Sequence, residues 1–93
     1  MSKETYLEAK VESLFVRRVA ERGGTALKQT GIAGISDRLV LLPGGRMIFV
    51  ELKRPGEKPR KLQVYWLNKL ERMGFETAVL DSVESVEEFM REL

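Results

Sequence analysis

The hydrophobic positions change period along the chain. From Lys3 to Arg22, the residues Leu7, Val11, Leu14, Phe15 and Val19 recur at about 100° per residue, the spacing of one buried helix face. Gly23 and Gly24 end that pattern as C-cap residues. Thr25 to Thr30 reads as a short strand, and Gly31 to Ser36, "GIAGIS", as a glycine-punctuated loop. Two runs rich in Leu, Val, Ile and Phe follow, Arg38 to Leu42 and Met47 to Lys53, and both are predicted strands. Arg54 to Lys61, "RPGEKPRK", is a basic loop broken by two prolines. Leu62 to Met73 is a predicted helix with Val64, Leu67 and Leu70 turned to the core, closed by Gly74. Phe75 to Asp81 is a strand, and Ser82 to Leu93 a final amphipathic helix capped by Ser82 or Ser85, with glutamates in its first turns.

The element order is therefore α-β-β-β-α-β-α. The central strands are apolar on both alternating faces, so the sheet needs cover on both sides. That predicts an α/β fold with helices flanking a sheet. No repeat or linker divides the chain, and 93 residues fit one small domain spanning residues 1–93. A domain this small has a marginal core, which association with a second copy would support.

Composition narrows the chemistry. With 43% hydrophobic and 32% charged residues the chain is globular. It has no cysteine, which excludes disulfides and thiolate zinc sites. It has no histidine, which excludes imidazole acid–base chemistry, histidine-based triads and imidazole metal sites. Any catalysis falls to carboxylates, lysine, arginine, hydroxyls or a hard cation. No apolar run approaches the roughly 18 residues of a membrane span, and the N-terminus carries no signal pattern. The expectation is a cytoplasmic protein. The net charge of +2 is a weak pointer to partners, so the local charge distribution must decide.

Three charges on the hairpin need a cause. If Pro43, Gly44 and Gly45 form the loop, Leu42 pairs with Arg46 and Asp37 falls opposite Glu51. Pro43 suits the first corner of such a loop and glycine its left-handed position. Lys53 shares the face of Glu51, because side chains alternate with period two. A loop of even length puts Asp37 opposite Leu52 instead. Two carboxylates across neighbouring strands repel. Lys53 offsets part of that repulsion, and a divalent cation does so better. Mg²⁺ or Mn²⁺ takes oxygen ligands, lowers the pKa of a bound water and stabilises a charged phosphoryl oxygen. The bland reading is a strand-end aspartate beside an edge salt bridge between Glu51 and Lys53.

The segment "GIAGISDRLVLLPGGRMIFVELKRPGEKPRKLQVYWLNKLERMGFE" resembles the VRR-NUC family, the virus-type replication–repair nucleases of the PD-(D/E)xK superfamily. The likeness rests on Gly-x-x-Gly-x-x-Asp, the apolar hairpin, "VELKRPG" and Gln63 at the opening of a helix, in that order and spacing. The resemblance implies an αβββαβα nuclease core with a mixed sheet and a Mg²⁺- or Mn²⁺-dependent site. It makes Asp37 and Glu51 metal ligands, Lys53 the motif's lysine and Gln63 a residue near the catalytic centre. It also assigns Glu12 on the first helix to the metal, with the Leu52 backbone carbonyl as a further ligand. On the helical wheel Glu12 and Glu8 lie together at the margin of the apolar stripe, and the wheel leaves open which of them serves. Gln63 could equally belong to a capping box. Where the family commonly has proline before the aspartate, this chain has Ser36.

Arg54, Lys58, Arg60 and Lys61 form a basic loop directly after these residues, and Arg17, Arg18, Arg22 and Lys28 add charge upstream. Such groups contact phosphates without reading sequence, and Gly31 and Gly34 allow close backbone approach. The partner expected is DNA. Trp66 is a candidate for base stacking but fits a core or subunit interface better. Small stand-alone members of the family resemble enzymes that resolve four-way (Holliday) junctions, which implies a homodimer, with an exchanged element as one form of it. A non-catalytic DNA-binding module with a nuclease fold is the alternative, and an oligomerising scaffold with merely solvated charges is a second.

Overall fold

A computed structural model of the protein describes the backbone of residues 3–93 and the side chains from residue 9 onward. The elements are α1 (Lys3–Glu21), β1 (Thr25–Lys28), β2 (Arg38–Leu42), β3 (Arg46–Leu52), α2 (Lys61–Arg72), β4 (Glu76–Leu80) and α3 (Val83–Arg91). This is the expected αβββαβα order. The sheet runs β1-β2-β3-β4. The first two pairings are antiparallel and β3–β4 is parallel, so the sheet is mixed.

Leu42 pairs with Arg46 and Arg38 with Val50, which is the register of a three-residue loop. Gly44 and Gly45 both hold positive φ, 87° and 82°, a region open to glycine at little cost. The apolar alternation of β2 and β3 then divides cleanly. Val40, Ile48, Val50 and Leu52 face a core built with Val11, Phe15 and Val19 of α1 and Val86 and Met90 of α3. Burial of each such large side chain contributes about 1.5–3 kcal/mol, and Phe15, Val19 and Met90 are completely enclosed. Arg18 ties the two helices by donating Nε and Nη2 to the Glu87 carboxylate at 3.0 and 3.1 Å. Leu7, expected on this face, lies outside the described side chains.

α2 covers the opposite side of the sheet near β3 and β4. Phe75, just before β4, meets Phe49 of β3 edge-on at 5.5 Å between ring centroids. Cover there is incomplete: Leu27 and Leu41 remain 44% and 39% exposed. Val64 is a correction to the sequence reading. It is exposed, and Leu70 alone of the three expected α2 core residues is fully buried. Val64 lies about 120° around the helix from Leu70, which takes it off the stripe that meets the sheet. At α3, Ser82 is the cap, its Oγ accepting the Ser85 amide at 3.0 Å. Ser85 Oγ in turn accepts the Ser82 and Asp81 amides at 3.0 and 3.1 Å. Among the described residues no helix is long and apolar enough to cross a membrane.

Candidate active site

The register that buries Val40 and Val50 on one face puts Asp37 and Glu51 on the other. Asp37 stands one residue before β2, and its backbone carbonyl accepts the Gln29 amide at 2.8 Å. Its Oδ2 accepts the Leu52 amide at 3.1 Å. That bond pins the Asp37 carboxylate against the end of β3, beside Glu51. The Leu52 peptide is thereby held next to the two acids.

Glu51 is 1% exposed. Its Oε1 accepts Gln63 Nε2 at 3.1 Å and lies 3.9 Å from Lys53 Nζ. Its Oε2 is buried and, among the described residues, has no hydrogen-bond partner. Burial raises the Glu51 pKa most, the neighbouring Asp37 carboxyl raises it further, and Lys53 opposes both; the result is about 8. A buried acceptor without a partner costs about 1–3 kcal/mol. A cation shared between Asp37 and Glu51 would satisfy that oxygen and relieve the repulsion. The donor set of hard carboxylate oxygens fits Mg²⁺ or Mn²⁺.

Gln63 joins the two roles that its sequence position left open. Its Oε1 accepts the Arg60 amide at 2.8 Å, closing the N-terminus of α2, while its Nε2 holds Glu51. One side chain thus fixes where α2 starts and how the buried glutamate points.

Glu12, the expected ligand from α1, is paired with Arg38. Its Oε2 is 3.2 Å from Arg38 Nη2, and Arg38 also donates to the Ala26 carbonyl at 3.0 Å. Among the described residues no three carboxylates converge as a ready-made metal cluster. Glu8 has its side chain outside the described residues. The neighbouring Ser36 is 2% exposed, and its Oγ has no partner among the described residues.

Lys58, Arg60 and Lys61 are exposed on the loop and helix start that follow the acids. Arg54 is also exposed there and engaged in an interaction of its own. Arg17 is exposed on α1 and, among the described residues, has no ion-pair partner. Arg18 is committed to Glu87 and Glu21, and Arg22 donates to the Met90 carbonyl at 2.9 Å. Both therefore serve the junction of α1 and α3. Gly34 holds φ 81°, and a Cβ there would clash with Leu62 Cγ. Packing against α2 accounts for that glycine. Gly31 is open, with only Gln29 Oε1 near. Trp66 is half-buried beside Tyr65, with Lys69 Nζ 5.2 Å from its ring centroid.

Sequence reasoning missed Glu57, whose Oε1 lies 3.7 Å from Lys53 Nζ. Its spacing of four residues from Lys53 is the only sequence signal, and the intervening Pro55-Gly56 turn hides it.

Comparison with known proteins bears on the family and the fold. The chain is 44% identical over 77 residues to a protein named "Putative nuclease p44" from Acyrthosiphon pisum secondary endosymbiont phage 1, covering 81% of this chain and 83% of that one. It superposes on a solved structure titled "VRR_NUC domain" with a TM-score of 0.83 and 29% identity, over 90% of this chain and 94% of that one. No family model matches the sequence.

Proposed function

The chain belongs to the VRR-NUC family of nucleases, and we propose that it is a Mg²⁺- or Mn²⁺-dependent DNA endonuclease acting on branched DNA such as four-way junctions. The observation that carries this reading is the pairing of half-buried Asp37 with buried Glu51, with an oxygen on Glu51 that has no partner among the described residues and a lysine beside it.

Asp37 and Glu51 would hold the ion, with the Leu52 backbone carbonyl as a third ligand and Glu12 within the wider shell. The chemistry such an ion supplies is a water of lowered pKa and neutralised charge on the phosphoryl oxygen. Gln63 orients Glu51, so that the carboxylate is presented in one direction. The Lys53 ammonium is 7% exposed, and in that low-dielectric position it orients the attacking water and stabilises the developing phosphorane charge. Arg17, Lys58, Arg60 and Lys61, together with Arg54, take the phosphates flanking the scissile bond. The open backbone at Gly31 and the tight loop at Gly34 bring the chain close to that path. These contacts carry no base readout, so selectivity follows DNA shape.

Symmetric cleavage of a four-way junction needs two sites, which a homodimer supplies. The uncovered apolar side of β1 and β2, with exposed Leu27 and Leu41, supports association with a second copy. An exchanged element is one way to make it. The protein would work in the interior of a phage-infected or bacterial cell.

The test is digestion of branched, duplex and single-stranded DNA with each metal. Metal-dependent cutting that favours the branched substrates is expected. A gel shift without cleavage under every metal would replace this reading with a DNA-binding module of nuclease fold.

A further inference from the structure

One carboxylate outside the family's motif reaches the site. Glu57 projects from the turn that follows β3, and its Oε1 is 3.7 Å from Lys53 Nζ. The same nitrogen is 3.9 Å from Glu51 Oε1. Both distances exceed the roughly 2.7–2.9 Å of a closed charge-assisted hydrogen bond. The ammonium is therefore shared between two acids and closed onto neither.

That sharing needs a cause. Lys53 is 7% exposed and Glu51 1%, and once Glu51 is ionised, as cation binding requires, opposite charges in such surroundings attract strongly. Glu51 also has an oxygen with no partner among the described residues. With nothing else to attract it, the ammonium would close onto Glu51. Glu57 is the second attractor, and its position is built in. The Glu57 amide donates to the Arg54 carbonyl at 2.9 Å, closing the turn. The Gly56 amide donates to Asp81 Oδ2 at 3.4 Å, fastening the turn to the end of β4. Gly56 sits at φ 79°, where glycine is favoured.

We propose that Glu57 is a positioning residue for Lys53: it draws the ammonium off Glu51 and so keeps the Glu51 carboxylate available to a divalent cation. The inference rests on the metal-site reading above. Without Glu57, Lys53 pairs with Glu51 and competes with the cation for it. The acid also holds Lys53 at the mouth of the basic loop, where an arriving phosphate can take over as its partner.

A lost negative charge near a cation site weakens binding by itself, so the test must separate that effect from lysine positioning. Mn²⁺ binding is measured calorimetrically for the full chain in four forms: native, Glu57→Gln, Lys53→Met and the double variant. Far-UV circular dichroism checks that each is folded. Glu57→Gln is expected to weaken Mn²⁺ binding by about threefold or more when Lys53 is present, and by clearly less when Met replaces it. Glu57→Asp keeps the charge but loses one methylene of reach, and it is expected to fall between native and Glu57→Gln. Equal fold-changes in both backgrounds, or none in either, would overturn the role of Glu57 and leave the metal site standing. A native chain that binds no Mn²⁺ would overturn both.

Discussion

Gln63 donates its side-chain amide to Glu51 Oε1 at 3.1 Å and accepts the Arg60 amide at 2.8 Å. The first turn of α2 and the buried acid of β3 are thereby one unit. Replacing Gln63 with alanine removes a cap, worth about 1 kcal/mol, and takes from Glu51 its hydrogen bond to the amide. The expected result is a small loss of thermal stability with a much larger loss of kcat, about tenfold or more, measured side by side. Gln63→Glu should be worse for activity, since it sets a third acid against Glu51.

The buried Glu51 makes stability depend on pH in an uncommon direction. Its folded pKa of about 8 lies above the ordinary 4.5, so between these values the folded state binds more protons than the unfolded state. The stability of the metal-free protein should fall as pH rises through that window. Glu76, held below the usual carboxylate range by Arg46, acts oppositely but only at lower pH. Melting followed by circular dichroism in chelator should show Tm dropping by about 5 °C or more from pH 5.5 to 8. Glu51→Gln should flatten the curve, and added Mn²⁺ should restore Tm at pH 8.

Arg17 and Arg18 are neighbours in sequence with separate fates. Arg18→Ala breaks the clasp to Glu87 on α3 and should lower the urea midpoint slightly, as solvent screens a pair of this kind. Arg17→Ala should leave melting unchanged, weaken DNA binding a few-fold and reduce the slope of log K against log salt by about 1. Urea denaturation and a salt titration of DNA binding distinguish the two.

Gly34→Ala combines strain at φ 81° with a clash against Leu62 Cγ. It should destabilise by about 1–3 kcal/mol. Leu62 is half exposed, so Leu62→Ala in the same chain should recover much of the loss. Denaturant midpoints of the two single variants and the double variant measure the coupling.

The parts of the fold written in local pattern were legible in the sequence. The period shift from helix to strand, the glycines after α1 and the turn at Pro43-Gly44-Gly45 gave the element order and the hairpin register, and the register placed Asp37 across from Glu51. Contacts between distant elements were not legible in that way. The bond from Gln63 to Glu51 depends on where α2 crosses the sheet, and the packing of Leu62 on Gly34 depends on the same crossing. Val64 was misplaced because a hydrophobic residue on a short helix satisfies more than one stripe, and only the observed crossing selects between them. Arg18 read as a phosphate contact because its partner Glu87 stands 69 positions away. Glu57 lay hidden because proximity across a Pro-Gly turn has no periodic signature.

The central claim is that Asp37 and Glu51 jointly bind a divalent ion at the ends of β2 and β3. Anomalous diffraction from crystals soaked in Mn²⁺ tests it most directly. A peak is expected within about 2.0–2.3 Å of a carboxylate oxygen of each residue, absent from Glu51→Gln crystals treated the same way. A native crystal with both acids ordered and no manganese between them would contradict it.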